Sequence, residues 1–205
     1  MQNYNHALPQ FREKRRYELH EGEIYFMAVP GKNHSEIVGN LLAIFKDYLK
    51  GSKKCRVYGE NMNVIFEKNE RQYLPDLKIV CNTEIIKDDG IYGAPDLIVE
   101  VLSPRTAKND LGYKKDMYEK YGVREYWIIN PDERSIQVYL LRKLDINGHD
   151  AGYKYELTDV YMLHRSEADL IDFDEEDKSA IAYEFKTSLY DDLIIRLEDV
   201  FENVD

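Results

Sequence analysis

The chain has 205 residues, 43% of them hydrophobic, enough for one sizeable core and too few to expect two independent ones. Its formal net charge of −11 excludes a general cationic nucleic-acid binder, because affinity for phosphates rests on Lys and Arg. The charge is unevenly spread: residues 1–130 carry 20 Lys/Arg against 19 Asp/Glu, and residues 131–205 carry 8 against 20. The acidity thus belongs to the C-terminal third, where runs such as DFDEEDK at 172–178 read as solvated surface. No stretch approaches the length of an apolar membrane span, and the N-terminal MQNYNHALPQFREKRRYELHEG has no apolar signal region. A cytoplasmic protein without a membrane partner is the expectation.

Residues 1–15 are expected to form an N-terminal arm and 16–205 a single domain, with a core at about 33–130 and a C-terminal extension over 131–205. The alternating RYELHEGEIYFMAV (16–29) predicts a hairpin turning at His20–Gly22. NHSEIVGNLLAIFKDYLKG predicts a helix, with Ile37, Leu41, Ile44, Phe45 and Tyr48 at helical spacing and Gly51 past its end. Its NHSE start reads as a capping box, Asn33 at the N-cap and Glu36 reaching back. CRVYGENMNVIFE (55–67) is a strand or a bent pair of strands, YLPDLKIVC (73–81) a short strand and APDLIVEVLS (94–103) another. A helix over about 107–121 and the strand EYWIIN (125–130) follow, with Trp127 expected in the core. SIQVYLL and GYKYEL, separated by the turn-prone DINGHD, predict a further hairpin, and the tail YDDLIIRLEDVF has apolar residues at helical spacing. Cys55 and Cys81 each stand in an apolar run and are expected to be small buried hydrophobes, neither bridged nor metal-bound.

The carboxylates sort by strand geometry. Alternation puts Asp96, Ile98, Glu100 and Leu102 on one face of the 94–103 strand and Leu97, Val99 and Val101 on the other. Asp96 and Glu100 lie roughly 13 Å apart along that face, too far to share one ion. Glu100 therefore needs a partner from a neighbouring strand, about 5 Å away, and Asp76, behind Pro75 at a strand start, is the candidate. In the following helix Leu111, Lys114, Tyr118 and Tyr121 fall on one stripe with Asp110 at its edge, so Lys114 is expected to face the sheet and its acids. Lys78, on the same strand as Asp76, is a rival for the same role. Glu36 projects away from the apolar face of its helix, whereas His34 falls on the buried side and can touch substrate or serve as a hydrogen-bonded core histidine. Asp96 is expected to fix the entry turn of its strand, and Glu21 and Glu23 to belong to the hairpin.

The order α, β, β, β, α, β with Pro-Asp at one strand and an acid in the next resembles the PD-(D/E)XK nuclease superfamily. More narrowly, YELHEGEIY, HSEIVGNLL, YLPDLKIV, YGAPDLIVEVLSPRT, NDLGYKKDMYEKYGVREYWIINPDE and LEDVF resemble the bacterial Uma2 family of restriction-type endonucleases, over roughly residues 16–201. The resemblance implies an α/β fold, a restriction-endonuclease-like core with a mixed sheet, an N-terminal hairpin and a β-rich C-terminal extension. It implies hydrolysis of DNA phosphodiesters with Mg²⁺, for which Mn²⁺ can substitute, and a homodimer. Asp76 and Glu100 match the metal-binding acids, with the Val101 carbonyl as a third ligand and Lys114 as the assisting lysine. From the residues themselves, His34, Lys78, Asp96 and Asp110 are expected as substrate-binding or supporting candidates. One departure is Leu102, which stands where the superfamily pattern places a lysine. The alternative is an inactive nuclease-fold binding module. The chain has no Gly-x-Ser-x-Gly, Walker loop, His-Glu-x-x-His or Gly-x-Gly-x-x-Gly, and no organic cofactor is expected.

Overall fold

The computed structural model describes residues 16–51, 54–146, 149–164 and 166–205; the expected arm over 1–15 and the centre of the DINGHD turn lie outside the described residues. The chain runs through β1 (Tyr17–His20), β2 (Glu23–Phe26), α1 (Lys32–Tyr48), β3 (Arg56–Gly59), β4 (Val64–Glu67), β5 (Arg71–Tyr73), β6 (Leu77–Val80), β7 (Ile86–Lys87), β8 (Gly90–Tyr92) and β9 (Leu97–Val101). Next come α2 (Ala107–Asn109), a kinked helical turn (Asp110–Lys114), α3 (Lys115–Tyr121), β10 (Glu125–Asn130), β11 (Ser135–Ile146) and β12 (His149–Met162). The tail holds α4 (Glu175–Ala180), β13 (Glu184–Phe185), β14 (Ile195–Arg196) and α5 (Leu197–Val200). Among the described residues no helix is long and apolar enough to cross a membrane.

The architecture is mixed α/β. A core sheet has the order β12-β11-β10-β9-β6-β3, with β9 and β10 parallel and the other neighbours antiparallel. The predicted α, β, β, β, α, β order is thus α1, β3, β6, β9, the 107–121 helical segment and β10. A second sheet, β2-β1-β5-β4-β8-β7, was not foreseen; the N-terminal hairpin joins it by pairing β1 with β5. The turn of that hairpin places Glu21 and Gly22 at positive φ (52° and 79°), which suits the twist of a two-residue connection.

All five residues of β9 are buried because both faces of the sheet are covered. Leu97, Val99 and Val101 pack with Ile37, Leu41 and Phe45 of α1 and with Trp127, which is in the core as expected. Ile98 faces the other way, among Tyr73, Tyr118 and Tyr126. Each such side chain contributes about 1.5–3 kcal/mol on burial, so the packing fixes the strand firmly enough to hold an acid in its interior.

Several expectations are corrected. The first helix starts at Lys32, directly after Pro30 and Gly31, so Asn33 lies inside its first turn and no capping box forms; Gly31 is the cap, and its carbonyl accepts from Ser35 Oγ at 3.0 Å. The helix over 107–121 is not continuous α-helix. It is broken by a kink at Gly112, whose φ −105°, ψ −116° is not helical, and the kink shifts the helical phase. Leu111, expected on the buried stripe, is therefore 46% exposed, while Asp110 and Lys114 are buried. Gly122 ends α3 at φ 86°, a conformation that only glycine adopts freely. The tail is extended rather than helical until α5: Leu193, Ile195 and Leu197 alternate into the core, a period of two that the helical reading overlooked. Finally, Cys55 and Cys81 form a disulfide. The antiparallel register of β3 and β6 pairs Arg56 with Val80, and the next step outward sets the two cysteines opposite each other.

Candidate active site

The register that builds the core sheet also builds the site. Leu77 pairs with Val99 across β6 and β9, so Asp76, one step before β6, comes opposite Glu100. Asp76 Oδ2 accepts from the Val101 backbone N–H at 2.7 Å and lies 3.0 Å from His34 Nε2, in the first turn of α1. Glu100 Oε1 accepts from Lys114 Nζ at 2.9 Å and from the Tyr118 hydroxyl at 2.7 Å. His34, Asp76, Glu100, Val101, Asp110 and Lys114 line one cavity of about 80 Å³, with the β2–α1 connection at 27–31 as a wall. The much larger cavity of about 910 Å³, beside the disulfide, contains a single acid, Asp192, and none of these residues.

The kinked helical segment between β9 and β10 brings Lys114 to the acids. Its ammonium lies 2.9 Å from Glu100, 3.0 Å from Glu18 Oε1 and 3.0 Å from Asp110 Oδ1, so three buried carboxylates share one cation. Burial pushes the Glu100 and Asp110 carboxyls above their ordinary range, and the Lys114 charge only partly offsets this. Burial works against the Lys114 ammonium, but Glu100 and Glu18 outweigh it and hold its pKa well above the usual lysine value. For His34, too, burial opposes the charged form, and the Asp76 hydrogen bond with the Asp76 and Glu60 charges overcomes it, raising its pKa. The pocket therefore carries more negative than positive groups, an arrangement that favours a bound cation.

The remaining predicted residues divide. Lys78 is fully buried and donates to the Pro75 carbonyl at 2.7 Å; burial draws its pKa down to about 7, against the pull of Glu100 and Asp76, and it does not line the cavity. Asp96 lies at the other end of β9, accepting from the Cys81 N–H at 2.7 Å and from Arg124 at 3.1 Å, so the structure does not bring it to the site. Two acids escaped the sequence reading. Glu18 is buried on β1 and also accepts from the Leu74 N–H at 3.0 Å; the signal was an acid alternating with Tyr17 in a strand. Glu60 follows β3, 3.6 Å from His34 Nδ1, and only its place after Gly59 marked it.

A mixed sheet clad by helices, with two acids and a lysine meeting at its centre, has the fold of a nuclease-like protein. The structure superposes on a solved protein of Anabaena variabilis ATCC 29413, described as "a putative nuclease belonging to DUF820", with a TM-score of 0.61, 21% identity, and coverage of 90% of this chain and 89% of that one. The chain belongs to the Uma2 family, described as "Putative restriction endonuclease", whose model matches residues 1–160. It is also 28% identical over 129 residues to an uncharacterized protein of Synechocystis sp. (strain ATCC 27184 / PCC 6803 / Kazusa), covering 62% of this chain and 67% of that protein.

Proposed function

We propose that this protein is a metal-dependent endonuclease that hydrolyses DNA phosphodiester bonds, using Mg²⁺, or Mn²⁺ in its place, at Asp76 and Glu100 with the Val101 carbonyl, assisted by Lys114. The observation that carries the reading is the convergence of Asp76, Glu100 and Lys114 on one cavity. The donor set fits a hard cation: the hydrogen bonds that hold the two acids engage Asp76 Oδ2 and Glu100 Oε1, which leaves Asp76 Oδ1 and Glu100 Oε2 to serve as ligands. When bound, the ion supplies Lewis-acid polarisation of the scissile phosphate and activation of a water. The Val101 N–H fixes the Asp76 carboxylate, and Tyr118 with Lys114 fixes that of Glu100. The Lys114 charge offsets the negative charge that develops on the phosphate during attack. Lys114 is preferred to Lys78 because it lines the cavity. Cutting both strands of a duplex would call for two such sites, and a homodimer is part of the proposal.

One observation favours a second reading, a nuclease fold retained as a binding module. The Lys114 ammonium is ion-paired with three buried carboxylates and hydrogen-bonded to Glu100, which commits its charge to the protein's own acids. A single assay separates the two. Supercoiled plasmid and single-stranded DNA are incubated with Mg²⁺ or Mn²⁺, with and without chelator, using wild type and Glu100→Gln. The endonuclease reading expects nicking that chelation abolishes and the substitution lowers by about 100-fold or more, in line with losing a group that acts in the transition state. Equal nicking by both proteins, or none by either, discards it.

A further inference from the structure

The segment that follows β9 carries its charge differently from the rest of the site. Residues 103–109, SPRTAKN, hold Arg105 and Lys108 and no acid, and the acids nearest in sequence, Glu100 and Asp110, are buried. Both cations are exposed, and neither has an ion-pair or hydrogen-bond partner among the described residues. Arg16, which also reaches the cavity, is instead held by Glu60 at 2.7 Å, and Lys114 by its three carboxylates. In a chain of net charge −11, two uncommitted cations in one place mark a point of attraction for an anion from outside.

Their placement ties that anion to the cavity. Ser103 and Thr106, on either side of Pro104 and Arg105, both line it. The turn is fixed: the Leu102 N–H donates to the Ile129 carbonyl at 2.8 Å, the Thr106 and Ala107 N–H groups donate to the Ser103 carbonyl at 3.1 and 3.0 Å, and the Ser103 and Thr106 hydroxyls lie 3.0 Å apart. Arg105 thus stands on the rim, and Lys108 follows on α2. The cavity of about 80 Å³ has the room of about two or three waters, so it admits at most one phosphate group and not the chain on either side of it. A polynucleotide whose scissile phosphate enters there lays its neighbouring phosphates across the rim, where a guanidinium fork and an ammonium suit their oxygens.

We infer that Arg105 and Lys108 form a clamp for the DNA phosphate backbone beside the scissile phosphate. They are positioning residues, which hold the strand and read no base. The inference rests on the endonuclease reading for where the strand enters.

Binding is measured by fluorescence anisotropy of labelled duplexes of two unrelated sequences, with full-length Glu100→Gln protein at fixed Mg²⁺ and KCl raised from about 50 to about 200 mM. Adding Arg105→Gln and Lys108→Gln should weaken binding of both duplexes alike by about tenfold or more and make the salt slope shallower by about 2, one phosphate contact per cation. Adding Lys46→Gln and Lys50→Gln, an equal charge change at exposed positions about 18 Å or more from His34 along α1, should leave affinity within about threefold. Exchanging the two cations, Arg105→Lys with Lys108→Arg, should restore binding. In otherwise wild-type enzyme, losing both should raise KM for nicking and leave kcat within about threefold. Circular-dichroism melts establish that each variant is folded; should the double variant not fold, Lys108→Gln alone decides, with a slope shallower by about 1. No binding before the substitutions, unchanged affinity and slope after them, an equal loss in the Lys46 and Lys50 variant, or a loss confined to one sequence overturns the clamp; if the wild type nicks DNA, the endonuclease reading survives that result. Binding that depends on both cations, in a protein that nicks no DNA, supports the clamp and sinks the endonuclease.

Discussion

Lys114 is the residue on which the most buried charge depends. Its side chain is 4% exposed, and those of Glu18, Glu100 and Asp110 are 7%, 3% and 2% exposed, so water screens little of their mutual interaction. Lys114→Met should strand three carboxylates and destabilise the protein by about 3–5 kcal/mol, read as a lower urea midpoint with an unchanged slope. A loss below about 1 kcal/mol would show that the cluster is already neutralised by protons. At this scale the sequence was informative where a strand's alternation applied: Glu100 and its neighbours fall on the faces that period two assigns. It was silent on Glu60 and Glu18, because each acquires its meaning from a partner on another segment. Trp127 and Glu125 illustrate the same limit. The tryptophan was legible as core, but Glu125 is fully buried two residues earlier, accepting from Trp127 Nε1 at 2.7 Å, Thr187 Oγ1 at 2.8 Å and the Ser188 N–H at 2.8 Å. Nothing local to Glu125 announces donors sixty residues downstream.

Among the elements, the β3–β6 ribbon couples a covalent link at one end to Glu60 and Asp76 at the other. Among the described residues β3 is an edge strand with β6 as its one strand neighbour, so the Cys55–Cys81 bond ties the edge to the sheet. With the cysteines 26 positions apart, the chain-entropy model gives about 3.5 kcal/mol of stabilisation, and reduction should lower the unfolding free energy by roughly that amount. Denaturant titration with and without a dithiol, alongside the Cys55→Ser/Cys81→Ser protein, measures it; a wild type indifferent to reductant contradicts the expectation. The bridge was illegible because strand register is a tertiary fact. The kink at Gly112 was hidden for a different reason. A helical wheel assumes an unbroken 100° per residue, and the break at Gly112 leaves Leu111 in solvent and Lys114 on the inner side. The α, β, β, β, α, β order survived all of this, since it depends only on which segments are apolar and in what sequence.

For the molecule as a whole, the acid-rich pocket costs stability that a bound ion would return. Adding Mn²⁺ to metal-free protein at about 100 times its dissociation constant should raise the unfolding free energy by about 2.7 kcal/mol, and chelator should reverse the gain. A melting temperature unmoved by any divalent ion would count against the proposed cation position at Asp76 and Glu100. The second sheet was the largest omission of the sequence reading: its strands are two to four residues long, too short for periodicity to register. Yet it is this sheet that delivers Glu18, whereas Asp76 and Glu100 come with the core sheet and Lys114 with the helical segment between β9 and β10. No excised peptide spans these contributors, and a chain emerging N-terminus first holds Glu18 long before its counter-charge has been made. Half-built or half-melted copies consequently lack the assembled cluster, which forms only when the last piece docks.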